Sequence, residues 1–392
     1  MKYSRFKSKR KISYGMQHIF NSDLSYVVKS LKQEKITQGI NVDKFESNLS
    51  NFFGSKYSLA VSSGTAALHI SMLTLNLSKG DKVLTSPISF LASANCAEYV
   101  GAEIDFCDIN NLTYTIDPEK IESKLKKDKK IKAIVVVDYA GHPADWKDLK
   151  FLKEKYGVRL INDNCHALGS KLENKKNYAV KFADIVTQSF HPVKHITTGE
   201  GGAIITNNKE IYEKAKILRN HGIERKKKDQ KNKGMWFYKM NYLGFNYRLS
   251  DINCSLGISQ LKSLNKFIQK RRFIAKKYNS LLKDVKNIIL PFEKKGFYHS
   301  YHLYPLRIDF KRLKIDKKVF FEKMFKLGIS LQVHYIPIYK HPYYKNKYRI
   351  NVKNFPVSEN FYNQVISLPI YYSLSQEKIN YVCKSLKSIL CK

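Results

Sequence analysis

The sequence predicts an α/β protein in which a large domain on an open, mainly parallel sheet precedes a smaller α+β region. Three observations carry that expectation. Short β-branched runs alternate with helix-patterned segments between residues 57 and 206. One run, KAIVVVD at 132–138, is nearly continuous, as in strands buried on both faces. Past residue 250 the rhythm changes to a long helical stretch followed by mixed elements.

The elements follow in order. Residues 18–31 place Ile19, Leu24, Val27 and Leu31 at helical spacing, with a cap expected near Ser22 or Asp23. Residues 42–53 repeat the pattern with Val42, Phe45, Leu49 and Phe52. A strand, YSLAVSS, ends at Ser63, and the helix AALHISMLTL follows. Strands are expected at KVLTS, AEIDFCDI, KAIVVVD, VRLIND, ADIVTQSF and GGAIIT, with helices at PEKIESKL and 144–156. Sheets of this kind bind ligands outside the carboxyl ends of their strands. Residues 256–282 read as one long helix or a bent pair. The strand YPLRIDF, a helix near 318–327, the strand SLQVHY and a closing helix near 375–390 complete the smaller region. The basic stretch IERKKKDQKNKG (223–234) reads as a loop.

Composition narrows the class. The 392 residues are 43% hydrophobic and 26% charged, which is ordinary for a globular chain. The basic start MKYSRFKSKRK has no apolar core behind it, and no apolar run approaches membrane-spanning length. A cytoplasmic protein without membrane contact is therefore expected. Six irregularly spaced cysteines form no CxxC pair, so neither a disulfide framework nor a metal site is expected. Cys165 reads as a small space-filling residue. The formal charge is +37, from 70 basic and 33 acidic residues. That excess is spread along the chain without a nucleic-acid-reading motif, so no specific nucleic-acid partner is expected. A basic cleft would suit a diphosphate-bearing small molecule.

The polar residues at predicted strand ends carry the chemistry. Lys194 lies in SFHPVKHITTGEGGAI (189–204), where Pro192, Gly199, Gly201 and Gly202 imply a tight, irregular loop. A desolvated lysine can form a Schiff base, although a lone lysine is ordinarily surface decoration. Asp163 ends VRLIND, where a carboxylate could hold a protonated ring nitrogen or simply cap the next turn. His166 could lie over such a ring or bond its edge. In SSGTAAL (62–68), Gly64 permits close approach while the N–H groups of Thr65 and Ala66 could meet a phosphate at a helix N-terminus. An N-cap at Ser63 or Thr65 is the plainer reading of that segment. Ser189 adds a hydroxyl, and Phe90 in TSPISF offers an aromatic face or ordinary core packing. Together these groups would suit pyridoxal 5′-phosphate (PLP).

Their order along the chain resembles the sugar aminotransferases of the DegT/DnrJ/EryC1/StrS family. The resemblance runs from TQG (37–39) to SLPI (367–370). It takes in SGTAAL, TSPISF, DYAGHPAD (138–145), NDNCHALGS (162–170), SFHPVKHITTGEGGAI, RNHG (219–222), GFNYRLSDINCSLGISQL (244–261) and HYIPIY (334–339). It implies the fold type I, aspartate aminotransferase-like architecture, with a large PLP-binding domain at 1–255 and a linking helix plus small domain at 256–392. It implies that Lys194 is the Schiff-base lysine and that Asp163 contacts the pyridine nitrogen. Thr65, Ala66 and Ser189 would hold the phosphate, Phe90 would stack, and His166 would lie beside the ring. Asn246 would reach the phosphate from a neighbouring subunit, implying a homodimer with composite active sites. His334 and Tyr335 would line the sugar pocket. Arg225 and Lys226 could meet a diphosphate or belong to a solvated loop.

Some members of the family carry histidine in place of the lysine and act as dehydratases; Lys194 favours transamination here. TSPISFLASAN, VDYAG, CHALGS and LQVHYIPIY look most like the subgroup that makes UDP-4-amino-4,6-dideoxy-N-acetyl-β-L-altrosamine for pseudaminic acid, a sugar that decorates flagella. That implies L-glutamate as amino donor and UDP-2-acetamido-2,6-dideoxy-β-L-arabino-hex-4-ulose as acceptor. The rivals are an aminotransferase for another UDP- or dTDP-keto sugar and a non-catalytic PLP-binding regulator. The presence of Lys194 and Asp163 speaks against the regulator.

Overall fold

A computed structural model describes residues 12–391; the basic N-terminal run lies outside the described residues. Strands β1 (Tyr57–Val61), β2 (Lys82–Thr85), β3 (Glu103–Phe106), β4 (Ile131–Val137) and β5 (Arg159–Asp163) come first. The short β6 (Lys171–Leu172), then β7 (Ile185–Ser189) and β8 (Gly202–Thr206), follow. Seven of these form one sheet in the order β1-β8-β7-β5-β4-β2-β3. Its β7-to-β3 portion is parallel, and β8 inserts antiparallel between β7 and β1. No helix among the described residues is long and apolar enough to cross a membrane.

The β-branched run in β4 is continuous because both faces are covered. Ile134 and Val136 enter one apolar core, Ala133 and Val135 the other. Each valine or isoleucine so buried contributes about 1.5–3 kcal/mol. The turn after β1 is pressed against the start of β8. A Cβ on Gly202 would fall 2.3 Å from the Ser63 carbonyl oxygen, so only glycine fits there.

The helical stretch past residue 250 is a single helix, Asp251–Leu282, capped by Ser250 Oγ accepting the Asn253 N–H at 3.2 Å. Its first half packs Leu264, Phe267 and Ile268 into one core of the large sheet. Its second half packs Ile274, Tyr278 and Leu282 into the C-terminal core. Asp251, fully buried, accepts the N–H groups of Asn41 and Val42 at 3.1 Å each. It thereby caps the helix Ile40–Phe53 from another element, joining the TQG and GFNYRLSD motifs in space.

Short ribbons and a second sheet complete the chain. β9 (Ile223–Glu224) pairs with β10 (Lys239–Met240), and β11 (Ile288–Ile289) precedes β12 (Phe297–Tyr298), which pairs back with β6. β13 (Tyr304–Ile308) lies between β11 and β14 (Val365–Leu368) in a three-stranded sheet. Ile12 bridges to Ile329 and enters the C-terminal core.

Three local expectations are corrected. The first helix begins at Asn21, and Asp23 reaches back to accept the Phe20 N–H at 2.8 Å, so it caps from inside the first turn. SLQVHY is not a strand; only Gln332 bridges, to Ser367, and the chain then turns toward the cavity described below. The basic stretch 223–234 holds β9 and a short helix, Lys227–Lys233.

At the end of β4 the side chain of Asp138 is fully buried. Its carboxylate accepts from Ala144 N (2.7 Å), Trp146 Nε1 (2.9 Å), Asn162 Nδ2 (3.2 Å), Asn164 Nδ2 (2.8 Å) and Tyr178 OH (2.7 Å). Burial raises its pKa, and these donors oppose that rise. Asp138→Asn turns two donor hydrogens onto donors. It should cost about 3 kcal/mol of stability, read as a lowered midpoint in thermal or urea denaturation.

Candidate active site

The carboxyl ends of β4, β5 and β7 and the turn after β1 open on one cavity of about 380 Å³, within the range of small-molecule sites. Lys194 and Asp163 both line it. So do Thr65, Phe90, His166, Ser189, His334 and Tyr335.

Asp163 is positioned by β5 and by two serines. Ser93 Oγ donates to Asp163 Oδ2 at 2.6 Å. The 2.7 Å contact between Ser89 and Ser93 must then run from the Ser89 hydroxyl, because Ser93 has one proton and spends it on the aspartate. Asp163 Oδ1 accepts the Cys165 amide at 3.3 Å and retains capacity for a cationic partner.

Lys194 sits half-buried in the loop between β7 and β8, with its N–H donated to His191 O at 2.9 Å. Burial lowers its pKa from the ordinary lysine value; Arg271 acts in the same direction, while Cys165 and Asp163 oppose. His166 accepts the Ala140 N–H on Nδ1 at 3.4 Å. Its neutral proton therefore belongs on Nε2, which lies 3.1 Å from the Tyr335 hydroxyl. Burial, with Lys194 nearby, holds His166 well below the usual histidine range, and the same causes push His334 down to about 4. Burial also holds the Cys165 thiol up, consistent with a filler and not a nucleophile.

The turn after β1 meets Ser189 and Cys165 closely. A Cβ on Gly64 would lie 2.9 Å from Ser189 Cβ and 3.3 Å from Cys165 Sγ. Ser63 Oγ accepts the Ala66 N–H at 3.0 Å, so the plainer capping reading of this turn is realised. Phe90 is 57% exposed at the cavity, its ring 6.1 Å from that of Tyr335.

Four expected site residues lie elsewhere. Ala66 lines an adjoining hollow with Tyr99, Phe245 and Tyr247. Arg225 and Lys226 line a separate cavity with Arg219 and Arg248. Asn246 is exposed and bridges to Asn220. Its segment is locked by glycines, since a Cβ on Gly244 would fall 1.9 Å from Gly222 N. The sequence reading missed Ser93 and His302, which reach Asp163 and the cavity respectively. A serine among alanines in LASAN and a histidine in HLYP carry no signal of their own.

The DegT/DnrJ/EryC1/StrS aminotransferase family model matches residues 17–387. The chain belongs to this family. It is 40% identical over 393 aligned positions to the UDP-4-amino-4,6-dideoxy-N-acetyl-β-L-altrosamine transaminase of Campylobacter jejuni, covering 97% of this chain and 98% of that one. Among solved structures it is similar to Helicobacter pylori PseC, an aminotransferase involved in the biosynthesis of pseudoaminic acid, with a TM-score of 0.89, 33% identity and coverage of 97% and 99%. Spr1654 of Streptococcus pneumoniae, solved in its PLP form, matches with a TM-score of 0.87, 26% identity and coverage of 97% and 98%. The family's architecture is fold type I, its activity PLP-dependent transamination, and its cofactor PLP or the pyridoxamine form.

The donor set of the cavity fits that cofactor. It offers one amine of lowered basicity, one carboxylate with spare acceptor capacity, and a hydroxyl-lined turn at a helix N-terminus. Ser93→Ala removes a bond to Asp163 without opening the core. The variant should lose about 1.5–3 kcal/mol of stability, the worth of one buried hydrogen bond to a charged group, read as a lowered thermal midpoint.

Proposed function

We propose that the protein transfers the amino group of L-glutamate to the C4 keto carbon of UDP-2-acetamido-2,6-dideoxy-β-L-arabino-hex-4-ulose, forming UDP-4-amino-4,6-dideoxy-N-acetyl-β-L-altrosamine. The observation that carries the chemistry is the amine of Lys194 and the carboxylate of Asp163 on one cavity. Support for the sugar comes from the near full-length similarity to the altrosamine transaminase and to PseC. The pathway would then be pseudaminic acid biosynthesis.

The residues take the following roles in this reading. Bound PLP supplies an electron sink for charge at the amino-bearing carbon. Lys194 would be its attachment point, and its freed Nζ would take the proton from the glutamate α-carbon and hand it on to the bound group. In the second half-reaction the same amine would carry a proton the opposite way, from the aminated cofactor to C4 of the sugar. Asp163 would hold the ring nitrogen protonated through a charge-assisted bond. Thr65 and Ser189 would receive the phosphate, with Ala66 behind them giving its N–H to Ser63 Oγ; His166 would lie beside the ring as a neutral group, and Phe90 would cover it. His334 and Tyr335 face the sugar.

Asn246, Arg225 and Lys226 do not line their own chain's main cavity, which fits a homodimer in which they serve the partner's site. The arm between β9 and Asn246 exposes Met235, Trp236, Met240 and Leu243, an apolar surface suited to a second copy. Arg225 and Lys226 would meet the diphosphate across that interface.

Incubating the enzyme with PLP, glutamate and the UDP-4-keto sugar should give the C4-aminated product, identified by NMR. Amination at another carbon, or turnover only with a dTDP-linked sugar, would reassign the substrate. Lys194→Ala should abolish turnover and the visible absorbance of lysine-bound cofactor. Mixing Lys194→Ala with Asn246→Ala protein should recover activity that neither has alone, because one composite site of the mixed dimer is intact. No recovery after verified subunit exchange would refute the shared site.

A further inference from the structure

Arg271 stands on the long helix, 3% exposed, with no carboxylate among its hydrogen-bond partners in the described residues. It donates instead to main-chain carbonyls: Tyr301 O at 3.3 Å, His302 O at 3.0 Å, Ile370 O at 3.0 Å and Val193 O at 3.4 Å. Burial brings its pKa down to about 10, so it keeps its charge at neutral pH. A buried cation without a counter-charge is costly to fold around, and such a cost persists where the charge has a task.

The partners name the task. Val193 immediately precedes Lys194, and His302 lines the cavity. One guanidinium thus grips the lysine-bearing loop and the opposite wall together. The rest of the surroundings of Lys194 carries little charge. Cys165 and His166 come from the segment after β5, His195 from its own loop, and His302 and His334 from the C-terminal region. Burial keeps these histidines neutral and the thiol protonated. Tyr14 and Tyr335 stay protonated, while His191 and Glu200 lie exposed at the cavity. Asp163 and Arg271 are therefore the buried fixed charges facing the lysine.

We propose that Arg271 is a positioning residue for Lys194: its planar fork ties the loop to the segments flanking β13 and β14, and its positive charge, on the same small hollow as the lysine, favours the neutral amine. This rests on the reading of Lys194 as the reacting amine. A lysine at 271 would keep the charge but lose the multi-point grip. A glutamine would lose both.

The test is competitive acylation of the cofactor-free protein across a pH series, with the peptide containing Lys194 quantified by mass spectrometry. Arg271→Gln should raise the labelling midpoint of Lys194 by roughly one pH unit. Arg271→Lys should leave the midpoint near wild type yet lower kcat roughly tenfold, with KM for glutamate and sugar little changed. An unshifted midpoint in folded Arg271→Gln overturns the electrostatic role. Wild-type kcat in Arg271→Lys overturns the positioning role, and that variant decides alone if Arg271→Gln does not fold. Borohydride reduction of the wild-type holoenzyme with peptide mapping separately reports attachment at Lys194, so failure of that reading is distinguished from failure of the Arg271 role.

Discussion

Everything at the site depends on how the ends of β4 and β5 are held, and one buried carboxylate does it. Asp138 takes five neutral donors from four segments: the turn after β4, the helix Trp146–Tyr156, the end of β5 and the helix Tyr178–Phe182. Asn162 and Asn164 flank Asp163, so both neighbours of the key aspartate are tied to the same anion. Strand alternation then turns Asp163 the other way, into the cavity. A charge sealed among donors of fixed geometry leaves the backbone few alternatives.

Around that frame the site is assembled from short-range rules. Glycine at 64 and 202 lets two main-chain segments touch, which brings Ser189 beside the turn after β1. The serine pair Ser89–Ser93 orients the aspartate from behind. Burial keeps lysine basicity low and histidines uncharged, so the cavity holds few mobile charges.

The α/β alternation was legible because strands covered on both faces read as unbroken β-branched runs, and β4 is the clearest case. That Lys194, Asp163 and His166 would come to one cavity was legible because they follow strand ends within an ordered series of motifs. Arg271 was not, since one arginine in QKRRF on a lysine-rich helix looks like a solvated face. Asp138 stood inside a quoted motif, but five partners spread over forty residues leave no local pattern. SLQVHY misled because its residues alternate like a strand while the backbone bends to deliver His334 and Tyr335. Asn246 shows another limit: it lies outside the cavity of its own chain, bridged to Asn220, and nothing in its local sequence says so.

The cluster of sealed imidazoles has a cost in acid. His334 titrates at about 4 when folded against an ordinary 6.5, and His166, His195 and His302 are displaced in the same sense. Between those values the unfolded chain binds more protons than the folded one, so stability falls as pH drops from 6.5 toward 4. A chain already carrying a formal charge of +37 gains further self-repulsion over the same interval. Acidification would therefore weaken the whole fold through the groups that line its chemical centre.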